Sequence, residues 1–361
     1  MRFIEPVRNF YTRYERPISS FSLLLGFIID ALTLRRVDSL FENSVIIGYL
    51  CVIGIFIILI HVKETEEGSE ENGRQTHFWY VNILQFAFGG VFSAFLVLYF
   101  RSADIFVAWP FILLLLLAFT GNEFLKKHYV RLSFQISLFF LSIYWFSIFL
   151  VPVILHRVGS GIFLLSGIVS LIVITIFVLV LFHLTKDKLA KSKKLIILLV
   201  SSVFVLMNFL YFTNLIPPIP LSLKDGDIYH SVKKSASGYE VVSEEEGWNK
   251  YFIMYPDFNK LAGEPAYAFS AIYSPKDLNM TILHEWQHYN ETIRKWITES
   301  IVDLAVVGGR EGGFRTYSIR SNPKPGKWRV NVKTEEGQII GRLRFKVIPV
   351  NEKPALINRV K

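Results

Sequence analysis

Apolar residues dominate this chain from Ser19 to Ile216 and give way at Pro217, Pro218 and Pro220 to short alternations of apolar and polar positions that run to Lys361. A hydrocarbon core about 30 Å thick calls for about 20 apolar residues in a helix. Windows at Ser19–Leu34, Asn43–Val62, Phe78–Phe100, Ile105–Thr120, Leu132–Leu155, Gly161–Leu184 and Leu195–Ile216 approach or meet that length and predict about seven spans. The first and fourth are the shortest. The first run lacks a small-residue cleavage site and reads as an anchor.

After the prolines the period changes. Strands are predicted at Asp227–Val232, Lys250–Tyr255, Ala266–Tyr273, Gly313–Arg320, Lys327–Thr334 and Gln338–Val347, with turn chemistry at Asn322-Pro-Lys-Pro-Gly326 and Glu335-Glu-Gly337. In the last two, Trp328, Val330 and Val332 oppose Arg329, Asn331 and Lys333, while Gly341, Leu343, Phe345 and Val347 oppose Ile340, Arg342, Arg344 and Lys346. That pattern predicts a half-buried antiparallel hairpin with a ladder of cations on its outer face. Such a ladder either protects a sheet edge from aggregation or meets anionic headgroups or glycans. The predicted architecture is a polytopic helical membrane domain, 1–216, a proline-rich linker, 217–226, a mainly-β, sandwich-like domain, 227–350, and a tail, 351–361.

Composition agrees: 52% of residues are hydrophobic and 19% charged, and the apolar excess lies before Pro217. A single cysteine, Cys51, excludes an intramolecular disulfide and metal sites built on several thiolates. The net charge of +9 arises without a continuous basic stripe interleaved with aromatics, which argues against nucleic acid as a partner. Its distribution sets sidedness. Arg2, Arg8, Arg13, Arg16, Lys63, Arg74, Lys126, Lys127, Arg131, Lys186, Lys188, Lys191, Lys193 and Lys194 would share one side, against Arg35, Arg36, Arg101 and Arg157 on the other. The positive-inside bias then places the N-terminus in the cytoplasm and the C-terminal half outside it.

Inside the apolar half, Asp30 is the one carboxylate within a span, a candidate centre for transport or lipid handling or a helix-end group that pairs with Arg35. His61, His77, His128, His156 and His183 fall near span ends, where amphipathic rings reach water.

His284-Glu-Trp-Gln-His288 fits the pattern in which two histidines one helical turn apart bind zinc and the intervening glutamate, Glu285, acts as general base. Helical spacing of Leu278, Ile282, Trp286, Tyr289 and Ile293 allows that reading, and with it a membrane-tethered zinc protease. The third ligand is missing, since Glu291 and Arg294 occupy the metzincin glycine and histidine positions. The alternative is a strand that places Met280, Ile282, His284, Trp286 and His288 on one face, without metal or cofactor.

His284-x-Trp286, Gly308-Gly-Arg310, Gly313-Phe-Arg-Thr-Tyr-Ser318, Gly326-Lys-Trp-Arg-Val330, Gly337 and Phe345 together resemble the bacterial family called domain of unknown function 2914, and Pro217-Pro-Ile-Pro-Leu221 and Tyr229-His230 resemble its membrane-anchored members. The resemblance implies a β-rich domain displayed outside the cytoplasmic (inner) membrane and favours the strand; it implies no activity. Gly308-Gly309 and Gly312-Gly313 bracket Arg310 in a tight loop. Arg310, Arg315, Tyr317 and Trp328 are therefore the candidate binding cluster for an anionic ligand, a glycan or a protein partner.

Overall fold

The computed structural model describes residues 21, 24–34, 39–66, 71–102, 104–125, 128–236, 238–245, 253–276, 278, 280–308 and 312–361. The chain forms two compact units, Met1–Arg101 with Trp109–Ile216, and Ser102–Ala108 with Pro217–Lys361.

The first unit is helical: α1 (Leu24–Thr33), α2 (Leu40–Glu66), α3 (Glu71–Ser102), α4 (Ile105–Phe124), α5 (Leu132–Leu155), α6 (Ser160–Leu184) and α7 (Lys186–Phe212). Five of these, α2, α3, α5, α6 and α7, contain segments long and apolar enough to cross a membrane, whereas the apolar parts of α1 and α4 are shorter. The two short windows of the sequence are thus the two short helices. Part of the first window lies outside the described residues, as does Arg35.

Helices α3 and α5 carry the buried centre, where Phe92, Phe95, Tyr99, Trp145 and Phe149 pack with Phe111 of α4. Aromatic side chains bury large areas and prefer edge-to-face contact, and Phe95 and Trp145 meet at 84°. Gly167 of α6 admits the Tyr144 ring of α5, for a Cβ there would lie 2.7 Å from the Tyr144 hydroxyl. Beside this centre runs a buried polar chain. His61 of α2 lies 2.8 Å from Gln135 Oε1 of α5; Gln135 donates to the Tyr129 carbonyl, and the Tyr129 hydroxyl donates to Asn122 of α4. Asn122 and Gln85 of α3 exchange side-chain N–H bonds to each other's backbone carbonyls, each 3.1 Å long. His61 is buried, not at a wet helix end as its position in the sequence predicts, because Gln135 supplies a polar partner inside the bundle. Ser93 of α3 donates its hydroxyl to the Asp30 carboxylate.

The second unit contains eleven strands among its described residues: β1 (Ser222–Tyr229), β2 (Ser231–Ser235), β3 (Gly238–Glu244), β4 (Asp257–Lys260), β5 (Ala266–Tyr273), β6 (Met280–Asn290), β7 (Lys295–Val306), β8 (Phe314–Arg320), β9 (Gly326–Thr334), β10 (Ile339–Pro349) and β11 (Leu356–Val360). They form sheets ordered β1-β5-β8, β4-β10-β9-β6-β7 and β11-β3-β2. One buried cluster joins Ile228, Ala266 and Ala268 of the first sheet to Phe258, Trp286, Trp328, Val330, Leu343, Phe345 and Val347 of the second. Another joins Tyr229, Phe269 and Ala271 to Val232 and Val241, with Tyr239, Tyr267 and Tyr317 packed against it.

Several sequence expectations are corrected here. The stretch read as a linker is buried from Pro217 to Ser222, and β1 starts within it, so the prolines, which follow the end of α7 at Phe212, lead into a packed strand. The strand expected at Lys250–Tyr255 is irregular over its described residues 253–255 and forms instead at β4, where Phe258 finds the core. The tail supplies β11, paired with β3 from Leu356↔Glu244 to Val360↔Glu240. The β9–β10 hairpin is not an edge: β6 flanks β9 and β4 flanks β10, because β6 and β4 supply the apolar partners that its inner face requires.

Candidate functional site

Strict alternation along β9 and β10 sends Trp328, Val330, Leu343, Phe345 and Val347 to the core and Lys327, Arg329, Asn331, Lys333, Arg342, Arg344 and Lys346 to the opposite face. The ladder register lines these up in rows. Lys346 stands opposite Lys327, Arg344 opposite Arg329 and Arg342 opposite Asn331. From β6 come Gln287 beside Arg329 and Glu285 beside Asn331. From β7, Trp296 stands opposite Tyr289.

Polar bonds order this face. Arg329 Nε donates to Gln287 Oε1 at 2.6 Å, Arg342 Nε to Asn331 Oδ1 at 2.6 Å, and Asn331 Nδ2 to Glu285 Oε2 at 3.0 Å. Glu285 also takes the Thr298 hydroxyl at 3.0 Å and the Lys333 ammonium at 3.1 Å. Aromatic rings hold the remaining stems: the Arg329 guanidinium lies 4.3 Å from the Trp296 ring, and Lys327 lies 5.8 Å from Tyr255 and 6.0 Å from Tyr289. A ring orders a cation without neutralising it.

The electrostatics follow. Burial, then the nearby Arg342, pushes the Arg329 pKa down to about 10, against the opposing pull of Tyr255 and Glu285. Burial and then Arg344 lower Arg342, with Asp104, Tyr255 and Glu285 opposing. Both arginines stay charged at neutral pH, and the direction of both shifts records like charges crowded on a partly desolvated surface. Burial alone would raise Glu285, yet the bonds from Asn331, Lys333 and Thr298 hold it below the usual carboxylate range. Asp257 opposite Lys346 and Asp303 opposite Leu283 mark the two margins of the patch.

The residues singled out from sequence fall elsewhere. Arg310 lies outside the described residues. Trp328 is fully buried, its indole N–H donating to the Lys324 carbonyl at 2.7 Å and its ring beside His288. Tyr317 belongs to the other cluster, where its ring meets Tyr239, and the Arg315 carbonyl accepts the Tyr239 hydroxyl at 3.1 Å. Trp328 and Tyr317 are therefore not brought together. The signal for the observed patch was the Arg/Lys alternation of the hairpin; its aromatic components, Tyr255, Tyr289 and Trp296, carried none, because a half-buried ring at the end of a strand has no characteristic spacing.

The helix required for zinc does not form. His284-Glu-Trp-Gln-His288 lies in β6, where histidines four residues apart stand about 13 Å from each other, and Glu285 points to the other face. The strand wins because His284 and Trp286 fill the core: His284 lies 2.9 Å from both Ser270 Oγ and Ser318 Oγ, and Trp286 donates to Ser318 at 2.9 Å. His288 Nε2 lies 3.1 Å from the Pro325 carbonyl. This donor set does not fit a zinc ion, and among the described residues no group of three or more His, Cys, Asp or Glu side chains is placed to hold a metal.

No curated protein matches the chain. Among solved structures, a β-glucosidase from Listeria innocua in complex with gluconolactone is similar over 30% of this chain and 16% of its own, at 13% identity and a TM-score of 0.19. The Pseudomonas fluorescens alkylpurine DNA glycosylase AlkC, bound to DNA containing an abasic site analog, is similar over 86% of this chain and 99% of its own, at 9% identity and a TM-score of 0.21. TM-scores this low bear on neither fold nor activity. Residues 279–347, which contain β6 to β9 and most of β10, match the family model described as protein of unknown function (DUF2914), and the C-terminal region of this chain carries that domain.

Proposed function

We propose that this chain is an integral membrane protein whose β-rich, sandwich-like unit stands outside the cytoplasm and recognises an anionic partner through the cationic face of β6, β9 and β10. The observation that carries the recognition reading is the pair of like-charged rows, Lys346 opposite Lys327 and Arg344 opposite Arg329. Like charges placed directly across a ladder destabilise it by about 0.2–1 kcal/mol a pair, a cost that an incoming anion reverses. This face takes the place of the Arg310, Arg315, Tyr317 and Trp328 grouping.

Membrane insertion is supported by helices that are apolar on every side: Ile168, Ile172, Ile176 and Leu179 of α6 and Ile197, Leu198, Val205 and Phe209 of α7 are exposed, which suits lipid and not water. Sidedness rests on the Lys and Arg bias of the short loops. The inner membrane of a bacterium is the setting that the family resemblance implies.

The test uses the full chain in detergent. Titration with inorganic phosphate raises the melting temperature of the wild type and leaves Arg329→Gln unmoved. An equal rise in both sinks the assignment of the face. Protease added to right-side-out spheroplasts, stripped of any outer membrane, cleaves the β-rich unit; full protection until lysis reverses the sidedness.

A further inference from the structure

The two like-charged rows are followed by a third, Arg342 opposite Asn331, and the length of the track says more about the ligand than its sign. Lys327, Arg329 and Asn331 of β9, with Lys346, Arg344 and Arg342 opposite, make three consecutive rows on one face. Successive same-face positions on a strand are about 6.6 Å apart, so the cations extend over about 13 Å. A lone carboxylate or phosphate engages one row. A chain that bears anions at intervals engages all three, and its later contacts form at high effective concentration.

The surroundings narrow the chemistry further. Tyr255, Tyr289 and Trp296 gather at the Lys327 end, with Tyr255 and Trp296 centroids 6.1 Å apart and Tyr289 and Trp296 centroids 5.2 Å apart. All three rings are partly exposed. An aromatic edge beside a cationic track suits pyranose rings, which stack their apolar C–H faces while their acid groups meet guanidinium. Glu285, the carboxylate inside the track, is engaged by Lys333, Asn331 and Thr298, and Asp257 and Asp303 lie at its margins. Asp104, of the short segment grouped with this unit, adds a carboxylate near Arg342, so the Lys327 and Arg329 rows are the more strongly cationic end.

Resting on the recognition reading above, we infer that the ligand is a linear acidic glycan whose carboxylate or phosphate groups run along the β9–β10 rows, with a sugar ring against Tyr255 and Tyr289. The choice of a glycan over a nucleic acid rests on the placement of this unit outside the cytoplasm proposed above.

The experiment measures binding of the full chain, in nanodiscs of zwitterionic lipid, to galacturonate, to oligogalacturonates of increasing length, to a neutral dextran of similar size and to single-stranded DNA. The expected result is affinity that rises with oligogalacturonate length over the first few sugars, falls with added salt, and is absent for dextran. Arg329→Gln weakens the longest oligomer about tenfold. Lys346→Gln, at an exposed position that perturbs packing little, weakens it too, so a folding defect in the first variant leaves the test intact. Equal affinity for monomer and oligomer, lost in Arg329→Gln, overturns the glycan-chain inference and keeps anion recognition. Tighter binding of DNA than of any oligogalacturonate also overturns it. Binding of no anion at all overturns both readings.

Discussion

Ser318 lies 2.9 Å from Nδ1 of His284, and its hydroxyl oxygen also accepts the indole N–H of Trp286. With Ser270 at Nε2, a neutral imidazole has one donor and one acceptor matched to two hydroxyls, so the ring is satisfied without charge. Burial pushes its pKa down to about 3. The sign of the linkage follows: below the ordinary value of 6.5 the unfolded chain binds a proton that the folded chain refuses. Stability contributed by neutral His284 is therefore whole above that value and declines as pH falls toward 3, at about 1.4 kcal/mol per pH unit for the fully buried group. Chemical denaturation of the full chain between pH 7 and 4 reads this decline, and His284→Gln flattens it. A wild-type slope matched by the variant shows that other groups carry the acid sensitivity.

A second acid response belongs to Glu244 of β3. Burial raises its pKa, but His230 and two bonds from Asn259, each 2.6 Å, overcome that and hold it below the ordinary 4.5. A depressed carboxylate contributes stability above its unfolded value and loses it as pH falls through the folded one, so this contribution fails below about pH 4.5. Glu244→Gln removes that late acid step and leaves the His284 response above it. Because Glu244 ties β3 to β4 through Asn259, amide exchange in β4 rises in the variant.

Gly313 sits at φ +82°, and a Cβ there would lie 2.9 Å from the backbone of Ala271 and Ile272. Positive φ alone costs a non-glycine residue about 1–3 kcal/mol, and a backbone neighbour cannot yield as a side chain does. Gly313→Ala is expected to lower the unfolding free energy by at least that much, read as a lower denaturation midpoint. Gly337, at φ +87° with open space around its Cβ position, is the control: Gly337→Asn keeps the turn at small cost. Equal midpoints for Gly313→Ala and wild type show that β5 and β8 separate without penalty.

The hairpin was legible because Trp328 to Thr334 and Ile340 to Val347 alternate without a break, and one face is then necessarily buried. The breakpoint at Pro217 was legible for a similar reason, since a change of solvent changes composition. What lies between strands was not. Sequence reads β9–β10 as an edge because pairing partners leave no local trace, and β6 was ambiguous because His284, Trp286 and His288 satisfy two periods at once. β7 was missed: its bulge opposite Trp286 and Gln287 shifts the alternation in mid-strand, so Trp296, Ile297, Ser300 and Ile301 follow no single period. The cationic face followed from residue type, whereas its aromatic border depends on β4 and β7, two elements the pattern did not locate.

The polar chain inside the helical unit offers the last test. Gln85 and Asn122 exchange two side-chain to backbone bonds between α3 and α4, and Asn122 also accepts the Tyr129 hydroxyl. If lipid surrounds these helices, no water stands ready to replace a lost partner, yet the unfolded state in a bilayer finds partners of its own, and such bonds contribute about 0.6 kcal/mol on average and under about 2. Asn122→Ala and Gln85→Ala each lower the melting temperature in detergent, and because each removes a different one of the two side-chain to backbone bonds, the double variant loses about the sum. A double loss well short of the sum shows that breaking one bond already releases the other. A loss well above 2 kcal/mol shows instead that Asn122 anchors Tyr129 and the α4–α5 connection as a unit, and Tyr129→Phe then reproduces most of it.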